Sequence, residues 1–345
     1  LKKEIKAEAY HLGFVEIGFT SPDIEINYAQ FLGWTAEGYH AGMNYLARNN
    51  TVTARRSAKM LFPECQTVIC LAYPYPLIAP TATKNQGRIA SYALLQDYHI
   101  SVAELANKLL EKLTQIFDDQ LLAQVHLDTS PILEKSYAQQ AGLGWIGRNS
   151  LLIHPKYGSG IFLCEILINT PIEPDPPFTL DGCQNCQRCL KACPTQAILP
   201  NRSIDARRCL SYLTIENRAE IPEEFRQAMG NRFFGCDQCQ LACPYNKRSK
   251  TTSIPNNWQT TINPTPELAV CFALTEEEFR NHYQHNPVLR AKYTGFRRNI
   301  AIAMGNSENP EFLNVLHQAK DAEQNPIIAE AIAWAISRLE PSANS

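Results

Sequence analysis

The chain has 345 residues, 32 Lys and Arg against 34 Asp and Glu, a formal net charge of −2 and 45% hydrophobic residues. That is enough apolar material for two or three domains. The near-neutral balance excludes a uniformly basic polyanion binder, and no run of about 18 apolar residues provides a membrane-spanning helix.

Residues 1–14 are polar, with Ile5, Ala9 and Leu12 at helical spacing. They read as an amphipathic helix rather than a secretory signal, so disulfides are not expected. The apolar runs 67–73, 124–128, 150–154 and 161–168 predict strands. Leu105, Leu109, Leu113 and Phe117 predict a helix over 101–117. Ser130 and Pro131 have the chemistry of an N-cap and first helical position, and Gly142 or Gly144 would close that helix. Gly142-Leu-Gly144-Trp-Ile-Gly147 matches a dinucleotide fingerprint in letters only. It follows a predicted helix and precedes a strand, the reverse of what phosphate binding requires. Asp97-Tyr-His99 begins like a cobalamin-ligating loop, but Val102 stands where Gly is needed, so no lower histidine ligand is evident.

Residues 171–178 are too proline-rich for a regular element and mark a boundary. A cysteine segment follows. Cys183, Cys186, Cys189 and Cys193 have the CxxCxxCxxxCP spacing of ferredoxins with two [4Fe–4S] clusters. Cys236, Cys239 and Cys243 repeat the pattern one ligand short, and Cys209 can supply the missing thiolate. In two-cluster ferredoxins the cysteine before Pro reaches across to the other cubane. The expected sets are therefore Cys183, Cys186, Cys189 and Cys243 for one cluster, and Cys193, Cys209, Cys236 and Cys239 for the other. Structural zinc is the competing use of paired CxxC motifs. Cys65, Cys70, Cys164 and Cys271 remain, three of them in or near apolar strands, and read as small buried residues.

Residues 251–268 read as a connecting arm. From Thr275, which opens a capping box with Glu278, the chain reads as helical. Three amphipathic segments of similar length suggest a HEAT-like repeat stacked in pairs. The expected divisions are 1–172, an α/β domain; 173–250, a ferredoxin-like domain; and 251–345, the arm and helical repeat. Two groups of cations, Lys247, Arg248 and Lys250, and Arg290, Lys292, Arg297 and Arg298, are either solvated faces or a phosphate-backbone footprint.

The combination of VHLDTSPILEKSYAQQAGLGWIGRNSLLIHPKYGSGIFLCEILI, the two cysteine runs, CLSYLTIE and MGNRFFGCDQCQLACPYNK resembles the epoxyqueuosine reductase family over nearly the whole chain. The resemblance implies a cytoplasmic enzyme with cobalamin and two [4Fe–4S] clusters, related to reductive dehalogenases. It implies reduction of epoxyqueuosine to queuosine at the tRNA wobble position, fed by an external low-potential electron donor. A monomer is the default expectation. The family's proton donor maps onto Asp128. Cobalamin contacts map onto Arg55, Ser91, Asn149, Ser159, Ser211 and Asp237, with Tyr98 and His99 as further pocket residues. A helix N-terminus would lower the pKa of Asp128, whereas burial under a corrinoid would raise it. The tRNA would meet the two cation groups, with Tyr245 and Trp258 as stacking candidates. The alternatives are a dehalogenase-like enzyme acting on a small molecule and a zinc-stabilised nucleic-acid-binding module.

Overall fold

The structure is a computed structural model describing residues 1–23, 27–117, 120–248 and 262–340. Helix α1 (Lys2–His11) buries Ile5 and Ala9, as their spacing predicts. The chain then enters β1 (Glu16–Thr20), a strand the sequence reading missed. It is short and carries Gly18, a poor strand former. The glycine is needed, because a Cβ there would lie 2.0 Å from the Ala141 carbonyl oxygen.

Four further elements complete the N-terminal frame: β2 (Thr67–Pro74), α2 (Tyr98–Phe117), β3 (Ala123–His126) and β4 (Ile161–Ile168). A short helix, α3 (Glu134–Gln140), lies between the last two strands. The sheet order is β1-β2-β4-β3 and every pairing is antiparallel. Helices and strands are mixed as expected, but the rule that places ligands beyond parallel strands has no purchase here. Both faces of the sheet are covered, which explains the unbroken apolar runs of β2 and β4. Phe19, Ile69 and Ile166 face α1 and α2 on one side. Val68, Cys70 and Leu167 face Tyr137 and Ala138 of α3 on the other.

Three local expectations change. The predicted strand at 150–154 shrinks to Leu152–Ile153, which pairs with Trp145–Ile146 in a separate hairpin. Helix α3 starts at Glu134 behind Leu133, not at Ser130, because residues 127–132 are spent on a tight turn. Gly142 follows α3 at φ +85°, so the glycine-rich segment ends a helix and opens no phosphate loop.

In the second half, α4 (Leu210–Ile215) shares one core with α5 (Lys292–Gly305), α6 (Phe312–Ala322) and α7 (Pro326–Leu339). Leu213, Phe233, Phe296, Ile300 and Ile332 all belong to it. The capping box forms as expected: Thr275 Oγ1 accepts from Glu278 N–H, and Glu278 reaches back to Thr275 N–H. Cys65, Cys70, Cys164 and Cys271 are buried free thiols. No helix among the described residues is long and apolar enough to cross a membrane.

Two of the predicted tRNA contacts are withdrawn by burial. Arg298 is 1% exposed. Its guanidinium donates to the carbonyls of Leu213, Asn217 and Ala219. Arg297 lies 3.1 Å from Glu323 with its guanidinium over the Phe272 ring. Neither can reach a phosphate without dismantling this packing. Replacing Arg298 with Ala strands the buried carbonyls of Leu213 and Asn217, so we expect a loss of about 3 kcal/mol in thermal or denaturant unfolding. Arg297→Ala should cost much less.

Candidate active site

A cavity of about 1250 Å³ opens where the end of β3, the start of α2, the helix α4 and the chain before α5 meet. Drug-sized ligands need about 300–1,000 Å³, so this space suits something larger. Asp128 faces into it from the turn after β3, at φ +50°, a left-handed conformation unusual for a residue with a Cβ. The turn is tied by Ser130 Oγ against His126 Nδ1 at 2.7 Å and by a hydrogen bond from Thr129 N–H to the Leu127 carbonyl.

Tyr98 and His99, on the first turn of α2, aim at Asp128. The Tyr98 hydroxyl donates to Asp128 Oδ2 at 2.9 Å. His99 Nε2 stands 3.3 Å from the same oxygen, an ion-pair distance outside good hydrogen-bond alignment. His99 Nδ1 lies 2.8 Å from Asp97 Oδ1. The imidazole therefore sits between two carboxylates. Burial pulls its pKa down, but Asp128 and Asp97 outweigh this and push it up to about 9. Burial pushes the Asp128 carboxyl up, and the contacts from His99 and Tyr98 reverse this and hold it below the ordinary value. The lowering comes from these neighbours and not from a helix N-terminus, since α3 begins six residues later. At neutral pH the transferable proton of this group is carried on His99.

Other cavity positions depart from expectation. Ser211 lines the cavity beside Cys209, as the sequence suggested. Arg290 and Lys292, expected with Arg297 and Arg298 as a cation group on the helical repeat, stand at the cavity wall, with Arg290 Nε donating to Glu216 Oε1 at 2.6 Å. Arg55 lines an adjoining cavity of about 350 Å³, where its Nη1 is buried without a partner. Four expected cofactor contacts do not reach the large cavity. Ser91 N–H donates to Asp237 Oδ2 at 2.6 Å in a buried pair beside Cys236. Ser159 is buried between Gln240 and Asn246. Asn149 lies among the first thiol set. In each case a local hydrogen bond or a neighbouring thiol occupies the position that sequence alignment had given to the corrinoid.

The cysteines gather in two groups. Cys183, Cys186, Cys189 and Cys243 line one small void, and each of Cys189 and Cys243 feels the charge of its neighbours in that set. Cys239 feels Cys236, Cys209 and Cys193. Burial and crowding push the thiols of Cys189, Cys209, Cys236, Cys239 and Cys243 up, so as free thiols these resist ionisation, whereas iron would supply the compensating positive charge. Donors are already placed for bound thiolates. Trp145 Nε1–H points to Cys183 Sγ at 3.4 Å, and Ala197 N–H points to Cys193 Sγ at 3.3 Å. Such N–H···S bonds tune cluster potentials. Tyr245 packs edge-on against Trp145 with its hydroxyl on the Gly182 carbonyl, so it supports the first thiol set and is not a stacking platform. Lys247 and Arg248 are exposed. Lys250 and Trp258 lie outside the described residues.

Sequence reasoning missed Glu134 and Glu216. Glu134 Oε1 accepts from Asp128 N–H at 2.6 Å, and Glu216 holds Arg290. The six-residue spacing from Asp128 to Glu134 carries no motif that announces the contact.

Comparison with known proteins places the chain. Residues 55–129 match the family model described as epoxyqueuosine reductase QueG, DUF1730, and residues 182–246 match a 4Fe-4S double cluster binding domain. The chain is 36% identical over 346 residues to the epoxyqueuosine reductase of Escherichia coli K12, covering 98% of this chain and 89% of that one. The epoxyqueuosine reductase of Streptococcus thermophilus superposes with a TM-score of 0.90 at 28% identity, over 99% of this chain and 92% of that one. An epoxyqueuosine reductase solved with an epoxyqueuosine-modified tRNA-Tyr stem loop superposes with a TM-score of 0.84 at 26% identity, over 98% of each chain. This chain, with a double-cluster domain set beside a large cavity holding Asp128, belongs to the epoxyqueuosine reductase family.

Proposed function

We propose that the chain reduces epoxyqueuosine to queuosine at the wobble position of tRNA, using two [4Fe–4S] clusters and cobalamin. The observation that carries this reading is the large cavity, which Asp128 and its His99 partner line together with Cys209 of the second thiol set. A tRNA stem loop bound by a family member supports the substrate. Removing an epoxide oxygen as water takes two electrons and two protons and leaves an alkene. When bound, a cobalt corrinoid supplies a low-valent metal that collects electrons singly and delivers them as a pair. The residues fit such a group: Ser211 lines the cavity, and the unpartnered Arg55 Nη1 offers a donor to its amide- and phosphate-bearing periphery.

The protein's own work is proton supply and positioning. His99 holds a proton above neutral pH and lies 3.3 Å from Asp128 on the same cavity, so His99 hands its proton to Asp128, which passes it to the leaving oxygen. Electrons enter at the set of Cys183, Cys186, Cys189 and Cys243 from an external donor and leave through the set that includes Cys209. We read the division of labour as 1–172 for cofactor and substrate, 173–250 for the clusters and 251–345 as a HEAT-like support, in a cytoplasmic monomer. The tRNA footprint reduces to Lys247 and Arg248 on the surface and Arg290 and Lys292 at the cavity wall.

Three outcomes test this reading. Cys209→Ser should lose about half of the roughly eight irons per chain and much of the absorption near ~400 nm, whereas Cys271→Ser should keep both clusters. Because the pKa of His99 is raised to about 9, its proton is present at neutral pH and is lost as pH rises through that value. Turnover should fall on that alkaline limb. His99→Asn should remove the limb and cost about 10²-fold in kcat, and Asp128→Asn should abolish turnover while iron and corrinoid content hold. Lys292→Glu should weaken tRNA binding roughly tenfold at moderate salt and reduce the salt slope by about one, whereas Arg297→Ala should leave both unchanged.

A further inference from the structure

We propose that Glu134 is a positioning residue that latches the Asp128 turn in its working conformation. The inference rests on the role assigned to Asp128 above. The geometry stands on four observations. Asp128 occupies the left-handed region, an uncommon conformation for an L-residue that Asp tolerates better than most. Its backbone N–H donates to Glu134 Oε1 at 2.6 Å, a charge-assisted bond with an anchor on the first turn of α3. The turn is otherwise held by the His126–Ser130 contact and the hydrogen bond from Thr129 to Leu127. Thus Glu134 is the tie from Asp128's own backbone to a neighbouring helix. The side chain of Asp128 remains 57% exposed and meets Tyr98 and His99 through one oxygen, so its aim depends also on its backbone.

The surroundings of Glu134 make the latch sensitive to protonation. Asp128 faces it from the turn, Arg55 from the end of helix Asn49–Ala54, and Lys135 from its own helix. Tyr98 faces it from α2, and Glu165 of β4 lies beneath. Cys70 on β2 and Cys164 on β4 complete the shell. Glu165 is 0% exposed, pairs in register with His126 of β3 and Cys70 of β2, and has no hydrogen-bond partner on either oxygen. Burial pushes Glu165 well up, so it stays neutral and adds no charge. Burial and the Asp128 charge push Glu134 up to about 7, against the pull of Lys135 and Arg55. Above that value the carboxylate grips the Asp128 amide. As pH falls through it, the carboxyl becomes neutral and the grip weakens.

The expected signature is an acid limb near pH 7 in kcat, with KM for tRNA nearly constant. Glu134→Gln keeps an acceptor but cannot titrate, so it should abolish this limb while retaining activity within about tenfold of the parent. Glu134→Ala should lower kcat by 10-fold or more with KM unchanged. Amide hydrogen exchange across residues 127–131, measured on the full chain with clusters and without tRNA or cobalamin, gives a readout independent of turnover. Protection there, relative to the intrinsic exchange rate at each pH, should fall in Glu134→Ala at pH 8 and, in the parent, on lowering pH from 8 to 6. Protection in α2 and β4 should stay constant, which separates loss of the latch from general unfolding. Unchanged exchange at 127–131 in Glu134→Ala would overturn the latch. So would an acid limb that persists in Glu134→Gln. Should the parent fail to reduce epoxyqueuosine, the functional reading falls, and the exchange experiment still decides the latch.

Discussion

The guanidinium of Arg298 and the amide of Asn299 pin α5 to α4 and the chain around it. Arg298 donates to carbonyls at and beyond the end of α4, and Asn299 donates to the carbonyls of Thr214 and Phe233. Those carbonyls cannot be satisfied within a six-residue helix, which leaves its last turn unpaired. A buried cation also needs acceptors on several sides. Each group therefore supplies what the other lacks. The result fixes α4, with Cys209 and Ser211 at its start, against α5, with Arg290 and Lys292 just before and at its start. One wall of the large cavity follows from this joint.

The opposite wall depends on an antiparallel sheet edge. Strand β3 is the outer strand, and it ends at His126, leaving the next residues free to turn into the cavity. The turn brings Asp128 to the start of α2, where Asp97, Tyr98 and His99 converge on it. Charge then settles by competition. Desolvation alone would have made Asp128 an ordinary buried acid with a raised pKa. A histidine flanked by two carboxylates is a better place for the proton, so His99 holds it beside Asp128. This arrangement keeps an acid available at neutral pH without requiring an isolated, neutral aspartic acid at the mouth of a solvent-filled space.

The two thiol sets divide the electron route in space. The first lies among Arg148, Asn149 and Tyr245, and the second reaches the cavity through Cys209. Exchange of one cysteine between the runs ties the sets into a single unit, so neither half can shift without the other. The buried Ser91–Asp237 pair joins the second set to the chain before α2. The cluster unit is thereby held to the same region that supplies Tyr98 and His99.

Much of this was legible in the sequence wherever chemistry is local. The cysteine spacing, with the ferredoxin precedent, suggested two sets, and the structure gathers the same residues into two groups. Continuous apolar runs marked β2 and β4, and the periodicities of α1, α2 and α5 to α7 marked those helices. Asp128 and Ser211 were found through a motif resemblance. Only the tertiary structure decided the rest. Four neighbouring cations look alike as a string, yet Arg297 and Arg298 are absorbed into packing while Arg290 and Lys292 face the cavity. Ser159, Ser91 and Asp237 lie in matching loops, yet their polar atoms bond to other partners, and Asn149 lies beside the first thiol set. Glu134 looks like one more surface carboxylate until the turn after β3 delivers an amide to it. Burial and long-range pairing set these roles, and both arise from contacts between segments far apart in the chain, which no local pattern encodes.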